Sequence, residues 1–195
     1  MFEISLDLAL MLIGAAFVAG FIDSLAGGVA LITLPALLLA GASPIQALST
    51  NKVQGVFGAA TAAIAYSRSG LVQLRSQWRP AILALAAGAA GAVMATRIPT
   101  ESLRIALPFI LIAIALFFAL KKGLDDTDRH QRITPAAFTA TLVPLIGFYD
   151  GLIGPGTGAF FMIGFVMLAG YGVLRATAHT KLLNFASKLW GVAGF

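Results

Sequence analysis

The stretch G-F-I-D-S-L-A-G-G-V-A-L-I-T-L-P, residues 20–35, places a carboxylate, paired glycines and a proline inside an apolar segment. A simple membrane-spanning helix needs none of these residues. The same pattern returns as G-F-Y-D-G-L-I-G-P-G-T-G, residues 147–158, at a constant offset of 127. Farther along, Lys52 and Lys181 correspond at an offset of 129. The chain therefore contains one element twice.

The composition indicates an integral membrane protein. Hydrophobic residues make up 59% of the 195 residues and charged residues 11%, against about 25% charged residues in an ordinary soluble domain. Several windows contain the roughly 20 apolar residues that a spanning helix needs, and the alternation typical of a transmembrane barrel is absent. We therefore predict an all-α, polytopic helical bundle that is embedded in the lipid bilayer.

Several classes of function are not supported. The net charge is +5, but most basic residues lie between apolar runs, where they set membrane topology, so no nucleic-acid partner is predicted. Cysteine is absent and the two histidines are far apart, which argues against a metal site or a thiol nucleophile. There is also no Ser/His/Asp set and no nucleotide-binding motif. We predict no catalytic residues, no metal, no cofactor and no enzymatic activity.

Eight apolar segments are predicted, and two of them are short. Residues 29–40 and 159–170 each follow one copy of the glycine motif, and twelve residues of helix reach only about 18 Å, against about 30 Å of hydrocarbon. They are either re-entrant half-helices or short crossings buried among other helices. The six longer segments are residues 8–25, 44–66, 80–96, 105–120, 135–152 and 174–195.

Two of the longer segments differ in bulk. Residues 80–96 are rich in alanine and glycine, so we expect this helix in the interior of the bundle, with Gly88 and Gly91 at close helix crossings. Residues 105–120 carry larger side chains and are expected to face lipid.

The chain divides into two predicted repeats. Residues 1–120 form the first, residues 121–134 a charged cytoplasmic loop, and residues 135–195 a second repeat that is incomplete at its C-terminus. If each segment crosses once, the N-terminus is outside and most basic connections are cytoplasmic, as the positive-inside rule requires. Five crossings separate the two motif copies, or three if the short segments are re-entrant. Either odd number inverts the second copy, as in secondary transporters.

The two breaks in the apolar segments form a candidate anion site. A half-helix that begins near Gly28 or Gly156 presents unpaired N–H groups and about half a positive charge. Because glycine lets a ligand approach the backbone, Gly27, Gly28, Gly154 and Gly156 are predicted to bind the substrate together with Thr157. The alternative is that these glycines only permit close helix crossing.

Charged residues accompany both breaks. Lys52 and Lys181 lie in apolar helices, where an unpaired lysine is costly. Each forms a structural ion pair with Asp23 or Asp150, or binds the charge of the substrate, and the two roles are compatible if the substrate competes with the carboxylate. The aspartates cap a half-helix, pair with lysine or carry a coupling proton. His179 is a further candidate for a coupling or structural charge.

Uncharged hydrogen-bonding side chains lie close to these charges in the sequence. Asn51 is predicted to contact the substrate. The other interpretation is hydrogen bonding between helices, which is common in membrane bundles. Lys188, one heptad after Lys181, extends a polar lining or reaches an interface. The remaining members of the group are Thr50, Gln54, Thr180 and Asn184.

At these residues the chain resembles the sulfite exporter TauE/SafE family of membrane transporters. The resemblance covers nearly the whole chain and rests on residues 20–41, on A-L-S-T-N-K-V-Q-G at 47–55, on residues 147–158 and on A-T-A-H-T-K-L-L-N-F-A-S at 176–187. It implies a multi-pass permease of the bacterial inner (cell) membrane that moves sulfite, sulfonates or other small organic anions. Family members often have a longer glycine run where residues 29–30 are Val-Ala here.

We therefore predict a secondary transporter, an exporter or permease, for small sulfur-containing or organic anions that works by alternating access. Its expected partners are the anion and the bilayer, and homo-oligomers are compatible with this prediction. Two alternatives remain. A small-anion channel would use the same lining but conduct without saturation. A non-transporting scaffold would tolerate apolar replacements of Asp23 and Lys52.

Overall fold

The computed structural model describes residues 5–26, 28–120, 126–128 and 130–193. Within these ranges every regular element is helical, which confirms the all-α prediction. The elements in chain order are α1 (Leu6–Ala26), α2 (Ala30–Leu39), α3 (Pro44–Arg68), α4 (Leu74–Ala95), α5 (Thr100–Leu120), α6 (Pro135–Leu152), α7 (Thr157–Gly164), a π-helix (Phe165–Ala169) and α8 (Val173–Ala193).

The helices differ in the length of their apolar segments. By length and composition, three described segments are able to cross a membrane: Leu6–Ser24, Leu74–Ala95 and Thr100–Phe117. The shorter apolar helices, Ala30–Leu39 and Thr157–Ala169, follow the two predicted breaks. The molecule is thus an all-α membrane protein, while the total number of crossings stays a prediction.

Two helices begin earlier than the hydropathy of the sequence indicates. The connection predicted at residues 67–79 is much shorter, because α3 continues to Arg68 and α4 already begins at Leu74. Likewise α5 begins at Thr100. Polar side chains end an apolar window without ending a helix, since the backbone hydrogen bonds of the helix do not depend on them.

The starts of α3 and α6 are fixed by capping side chains. Ser43 and Gln46 form a reciprocal capping box, with Pro44 in the first turn of α3. The Thr134 hydroxyl oxygen accepts a hydrogen bond from the Ala137 N–H group at 3.2 Å. Both caps satisfy N–H groups that a helix start leaves unpaired.

Small residues bring α4 into backbone contact with its neighbours, as its composition predicts. α4 lies against α6 and α8. A Cβ atom at Gly91 would collide with the carbonyl oxygen of Phe148, and one at Gly88 with that of Ser187. In return, a Cβ at Gly151 of α6 would collide with the Gly88 carbonyl oxygen. This helix therefore occupies the interior of the bundle.

Two apolar clusters fix the remaining helices. One lies among α4, α6, α7, the π-helix and α8 and contains Phe138 and Phe161. The other joins α2, α3 and α5 through Leu34, Leu48 and Leu107. The opposite side of α5 exposes large apolar side chains, which agrees with the predicted lipid-facing role: Ile105, Phe109, Ile112 and Leu116.

The charged segment at residues 121–134 is described only in part, and its described aspartates hold the start of α8. The Asp128 carboxylate accepts a hydrogen bond from the Gly172 N–H group at 2.7 Å, and the Asp126 carboxylate accepts one from Leu174 at 2.8 Å. Arg175 lies 3.7 Å from the second Asp128 oxygen. These acids act as caps, which the sequence did not indicate.

Candidate functional site

Each of the two duplicated lysines reaches the helix that carries the other copy of the glycine motif. Lys181 of α8 lies 3.0 Å from the Asp23 carboxylate and also donates a hydrogen bond to the Asp23 carbonyl oxygen. Lys52 of α3 donates a hydrogen bond to the carbonyl oxygen of Gly151, the residue after Asp150. Both lysines are buried, with exposed fractions of 0% for Lys181 and 3% for Lys52. Each ammonium group therefore contacts the helix that precedes the break in the other copy of the motif.

At the first break, the Asp23 carboxylate occupies the start of α2. One oxygen accepts hydrogen bonds from the N–H groups of Gly28 at 3.0 Å and Val29 at 3.3 Å, while the other faces Lys181. Asp23 therefore both caps a helix and forms an ion pair. Gly28 has a φ of 122°, a conformation that favours glycine. Gly27 lies outside the described residues.

At the second break, no side chain in the described part of the chain caps α7. Gly154 and Gly156 have φ values of 96° and 78°, and Gly156 is the N-cap residue. The Thr157 hydroxyl donates a hydrogen bond to the Gly154 carbonyl oxygen at 2.7 Å. In the described part of the chain, the N–H groups of Gly158 and Ala159 have no backbone acceptor outside α7. Because an α-helix leaves its first N–H groups unpaired, this buried end is suited to an anion.

Asp150 does not repeat the capping role of Asp23. Its carboxylate accepts a hydrogen bond from the Ser187 hydroxyl at 2.6 Å and lies 3.5 Å from the Lys188 ammonium nitrogen. Lys188 also donates a hydrogen bond to the Asn184 side-chain oxygen at 2.6 Å. A Cβ at Gly55 would lie 2.8 Å from Lys188 Cε, so this glycine makes room for the lysine stem. Lys188 is therefore part of the polar interior.

The lysines and aspartates form one buried charge cluster. Lys188 is close enough to interact electrostatically with Asp23, Lys52 and Lys181. Among the described residues, the buried side chains of this cluster are those of Asp23, Lys52, Asp150, Lys181 and Lys188. Lysine side chains therefore lie beside both breaks, and a small anion is the chemical species that they would attract.

Two of the uncharged candidates, Asn51 and Gln54, join helices. The Thr33 hydroxyl of α2 donates a hydrogen bond to the Asn51 side-chain oxygen at 2.7 Å. The Gln54 amide donates one to the Ala16 carbonyl oxygen of α1 at 3.2 Å. These contacts match the helix-to-helix alternative for Asn51 and Gln54.

His179 lies apart from the ion pairs. Its ring packs against Phe165 at 5.5 Å and Tyr171 at 5.0 Å between ring centroids. Three buried side chains of this helix have polar atoms without a hydrogen-bond partner in the described part of the chain: Thr177, His179 and Thr180.

Two contributors to the site were missed in the sequence, Ser187 and Thr33. Ser187 follows Asn184 by three residues and Lys181 by six, so the helical spacing of three to four residues on one face was the available signal. Thr33 gave no such signal, because a single threonine in an apolar run often bonds only to its own helix.

Comparisons with known proteins show the family to which the chain is similar. The model of the family "Sulfite exporter TauE/SafE" matches residues 12–195. The chain is 56% identical over 187 residues to the "Probable membrane transporter protein ORF9" of Sinorhizobium sp, covering 96% of this chain and 72% of that protein. It is 40% identical over 193 residues to a "Probable membrane transporter protein" of Haemophilus influenzae, covering 99% and 76%.

A third relative is the "Probable membrane transporter protein YfcA" of Escherichia coli strain K12, which is 39% identical over 195 residues, covering 100% of this chain and 72% of that protein. No solved structure matches the chain. The family match spans almost the whole chain, including both breaks, Lys52 and Lys181. The chain therefore belongs to the sulfite exporter TauE/SafE family of membrane transporters.

Proposed function

We propose that this protein carries a small anion, such as sulfite or an organic sulfonate, across the bacterial inner membrane by alternating access. The observation that carries the proposal is the buried start of α7, whose first N–H groups have no side-chain cap and no backbone acceptor outside the helix in the described part of the chain. Lys52 contacts the helix that leads into this break. Buried N–H groups beside a lysine favour an anionic partner, and a translocated anion supplies it.

The substrate binds at the second break in this proposal. The N–H groups at the start of α2 are already taken by Asp23, whereas those at the start of α7 have no side-chain cap. An oxyanion there accepts hydrogen bonds from Gly158 and Ala159 and is attracted by Lys52 and Lys181. Residues 147–158 thus form the binding half of the duplicated motif.

In this proposal, Lys52 and Lys181 link substrate binding to the movement of the two repeats. Residues 1–120 and 135–195 act as two inverted repeats that rock against each other, and Lys52 and Lys181 each bridge them. When the substrate competes with Asp23 for Lys181, a contact between the repeats weakens. Asp23 and Asp150 are then the groups available to carry a coupling proton.

Flux measurements in proteoliposomes test the proposal. We would measure uptake of radiolabelled sulfite and ethanesulfonate, with and without a pH gradient, in wild type and in a variant with both Asp23→Asn and Lys181→Met. The double change removes the ion pair as a unit, so no buried charge is left without its partner. We expect saturable flux in wild type and its loss in the variant, with Arg97→Ala as a control for loss of one exposed charge.

The other outcomes separate the alternatives. Conduction that does not saturate with anion concentration would identify a channel. Unchanged flux in the double variant would reduce the ion pair to a structural role. Absence of flux for every anion, in a correctly inserted protein, would favour a scaffold.

A further inference from the structure

The two copies of the motif differ in one backbone donor. At the offset of 127, Gly28 of the first copy corresponds to Pro155 of the second. The Gly28 N–H group donates a hydrogen bond to the Asp23 carboxylate at 3.0 Å, whereas proline has no N–H group. Asp150, the counterpart of Asp23, therefore lacks the donor that makes the shorter of the two bonds holding the carboxylate at the start of α2.

Two side chains of α8 hold the Asp150 carboxylate instead. The Ser187 hydroxyl donates a hydrogen bond to it at 2.6 Å, and the Lys188 ammonium nitrogen lies 3.5 Å away. All three side chains are buried, with exposed fractions of 6% or less. A Cβ atom at Gly154 would lie 3.4 Å from a carboxylate oxygen of Asp150. This carboxylate is thus adjacent to the second break, while its partners lie on α8.

The first copy has no residues equivalent to these partners. At the offset of 129 between the duplicated lysines, Ser187 and Lys188 correspond to Gly58 and Ala59 of α3. Glycine and alanine have no polar side chain, so these two positions of α3 provide no hydroxyl or ammonium group for Asp23. The second copy therefore combines the loss of one backbone donor with the gain of two side-chain partners.

The start of α7 would attract the Asp150 carboxylate if α8 released it. The N–H group of Gly156, the counterpart of Val29, has no backbone acceptor among the described residues, and no described side chain caps the helix. The positive end of a helix favours a nearby negative charge. A carboxylate and a substrate anion would compete for the same N–H groups, so the position of Asp150 decides whether this helix start is available.

We propose that Ser187 and Lys188 are positioning residues that hold Asp150 away from the start of α7, so that this helix start stays available to a substrate anion. Pro155 contributes by removing the backbone donor that would draw the carboxylate back. The inference rests on the proposed function for its ligand, whereas the position of Asp150 is a property of the protein alone.

NMR of the protein labelled with ¹⁵N-glycine, in detergent micelles and without a substrate anion, reports where the carboxylate lies. The variant Ser187→Ala with Lys188→Met releases Asp150. We expect the amide protons of Gly156 and Gly158 to move downfield in this variant, because they then donate to a carboxylate. Adding Asp150→Asn should reverse the shift. Unchanged glycine shifts in a folded variant would show that the carboxylate does not reach α7, and would overturn the proposal.

Pro155→Ala tests the same idea without removing a charge, and so covers a charge variant that fails to fold. The alanine adds an N–H group and keeps the carbonyl group that accepts a hydrogen bond from the Tyr149 hydroxyl. We expect sulfite, titrated by calorimetry into the protein in lipid nanodiscs, to bind roughly fivefold more weakly, because Asp150 gains a donor at the break. In a protein that already carries Asp150→Asn, the same substitution should lose this effect. A loss of affinity that persists without the carboxylate would show that the proline acts through backbone shape, and would contradict the proposal.

The two measurements separate this inference from the proposed function. If wild type binds no sulfite but the glycine shifts follow the expectation, the substrate site is wrong and the positioning of Asp150 stands. If wild type binds sulfite and the substitutions change neither the shifts nor the affinity, the positioning is wrong and the substrate site stands.

Discussion

The two breaks share one sequence motif but distribute their charges differently. At the first, Asp23 caps α2 and also faces Lys181. At the second, Asp150 turns to Ser187 and Lys188, and α7 starts without a side-chain cap. The positive end of α2 is therefore neutralised by the protein itself, whereas that of α7 is not.

This difference is the basis for proposing two roles for the duplicated element. At the first break the Asp23 carboxylate already occupies the start of α2, so the proposal assigns no substrate to that position. At the second, the first N–H groups of α7 have no backbone acceptor outside the helix among the described residues, so the proposal assigns the substrate there. Side-chain partners, more than the glycines themselves, separate the two roles.

Removing Lys181 should have the largest effect. Lys181→Ala leaves the buried Asp23 carboxylate without its counter-ion, and breaking a buried pair costs about 3–5 kcal/mol. We expect this loss in the free energy of unfolding, measured by denaturant titration in detergent. Replacing both partners, as Asp23→Asn with Lys181→Met, should recover most of it. A single variant as stable as wild type would show that the pair contributes no stability.

Alanine at Gly156 should cost about 2 kcal/mol. The residue has a φ of 78°, where an alanine costs about 1–2 kcal/mol, and a Cβ would lie 2.8 Å from Ile114 Cγ2. If the substrate binds here, the KM for sulfite flux should rise as well. Gly28→Ala is the matched control, because its backbone is also strained but its N–H group already binds Asp23.

Gly28→Ala should therefore lower stability without raising the KM. Equal increases in KM for both glycine variants would remove the distinction between the breaks. A rise in KM for Gly28→Ala alone would reverse the distinction and place the substrate at the start of α2.

Much of the fold was predictable from the motif and its surroundings. Glycine-broken apolar runs indicated short helices that begin near residues 30 and 157, and the predicted segment from residue 44 begins where α3 begins. These are local signals, because a helix start or a positive φ is set by a few adjacent residues. The all-helical class followed from hydropathy alone.

The pairing of charges was not predictable. An offset in the sequence relates Lys52 to Lys181 but gives no distance between repeats, so the Asp23–Lys181 pair remained one of several alternatives. The assignment of Lys188 to Asp150 depends on how α8 lies against α6. Such contacts come from tertiary packing, which sequence spacing along one helix does not determine.

The π-helix after α7 was also missed. Its Leu168 carbonyl oxygen accepts hydrogen bonds from the N–H groups of Arg132 and Ile133, at 2.9 and 3.2 Å. Leu168 lies in the last turn of this element, where a helix leaves its carbonyl groups without partners of its own. Because those partners precede α6 in the sequence, no local pattern in residues 165–169 reveals them.

Equivalent glycines of α1 and α6 provide a third comparison. Gly147 corresponds to Gly20, but only a Cβ at Gly147 would be crowded, at 3.0 Å from the Ala84 carbonyl oxygen. Gly147→Ala should lower the free energy of unfolding by about 1 kcal/mol through overpacking. Gly20→Ala, with no described atom within 4 Å of the added carbon, should instead be neutral or slightly stabilising. Equal losses would show that both helices pack alike.

The smallest expected effect on stability is at the start of α8. It shows how much a side-chain cap contributes in an exposed position. Asp126 accepts a hydrogen bond from the Leu174 N–H group, as Asp23 does at α2, but in an exposed position. Asp126→Ala should therefore cost about 1 kcal/mol or less, because water replaces the lost bond. Hydrogen exchange of the first α8 amides should rise while that of α2 stays constant. If Asp126→Ala lowered the free energy of unfolding as much as Lys181→Ala, burial would not be what makes the Asp23 cap stronger than the Asp126 cap. The Asp23 carboxylate at the first break would then need another explanation.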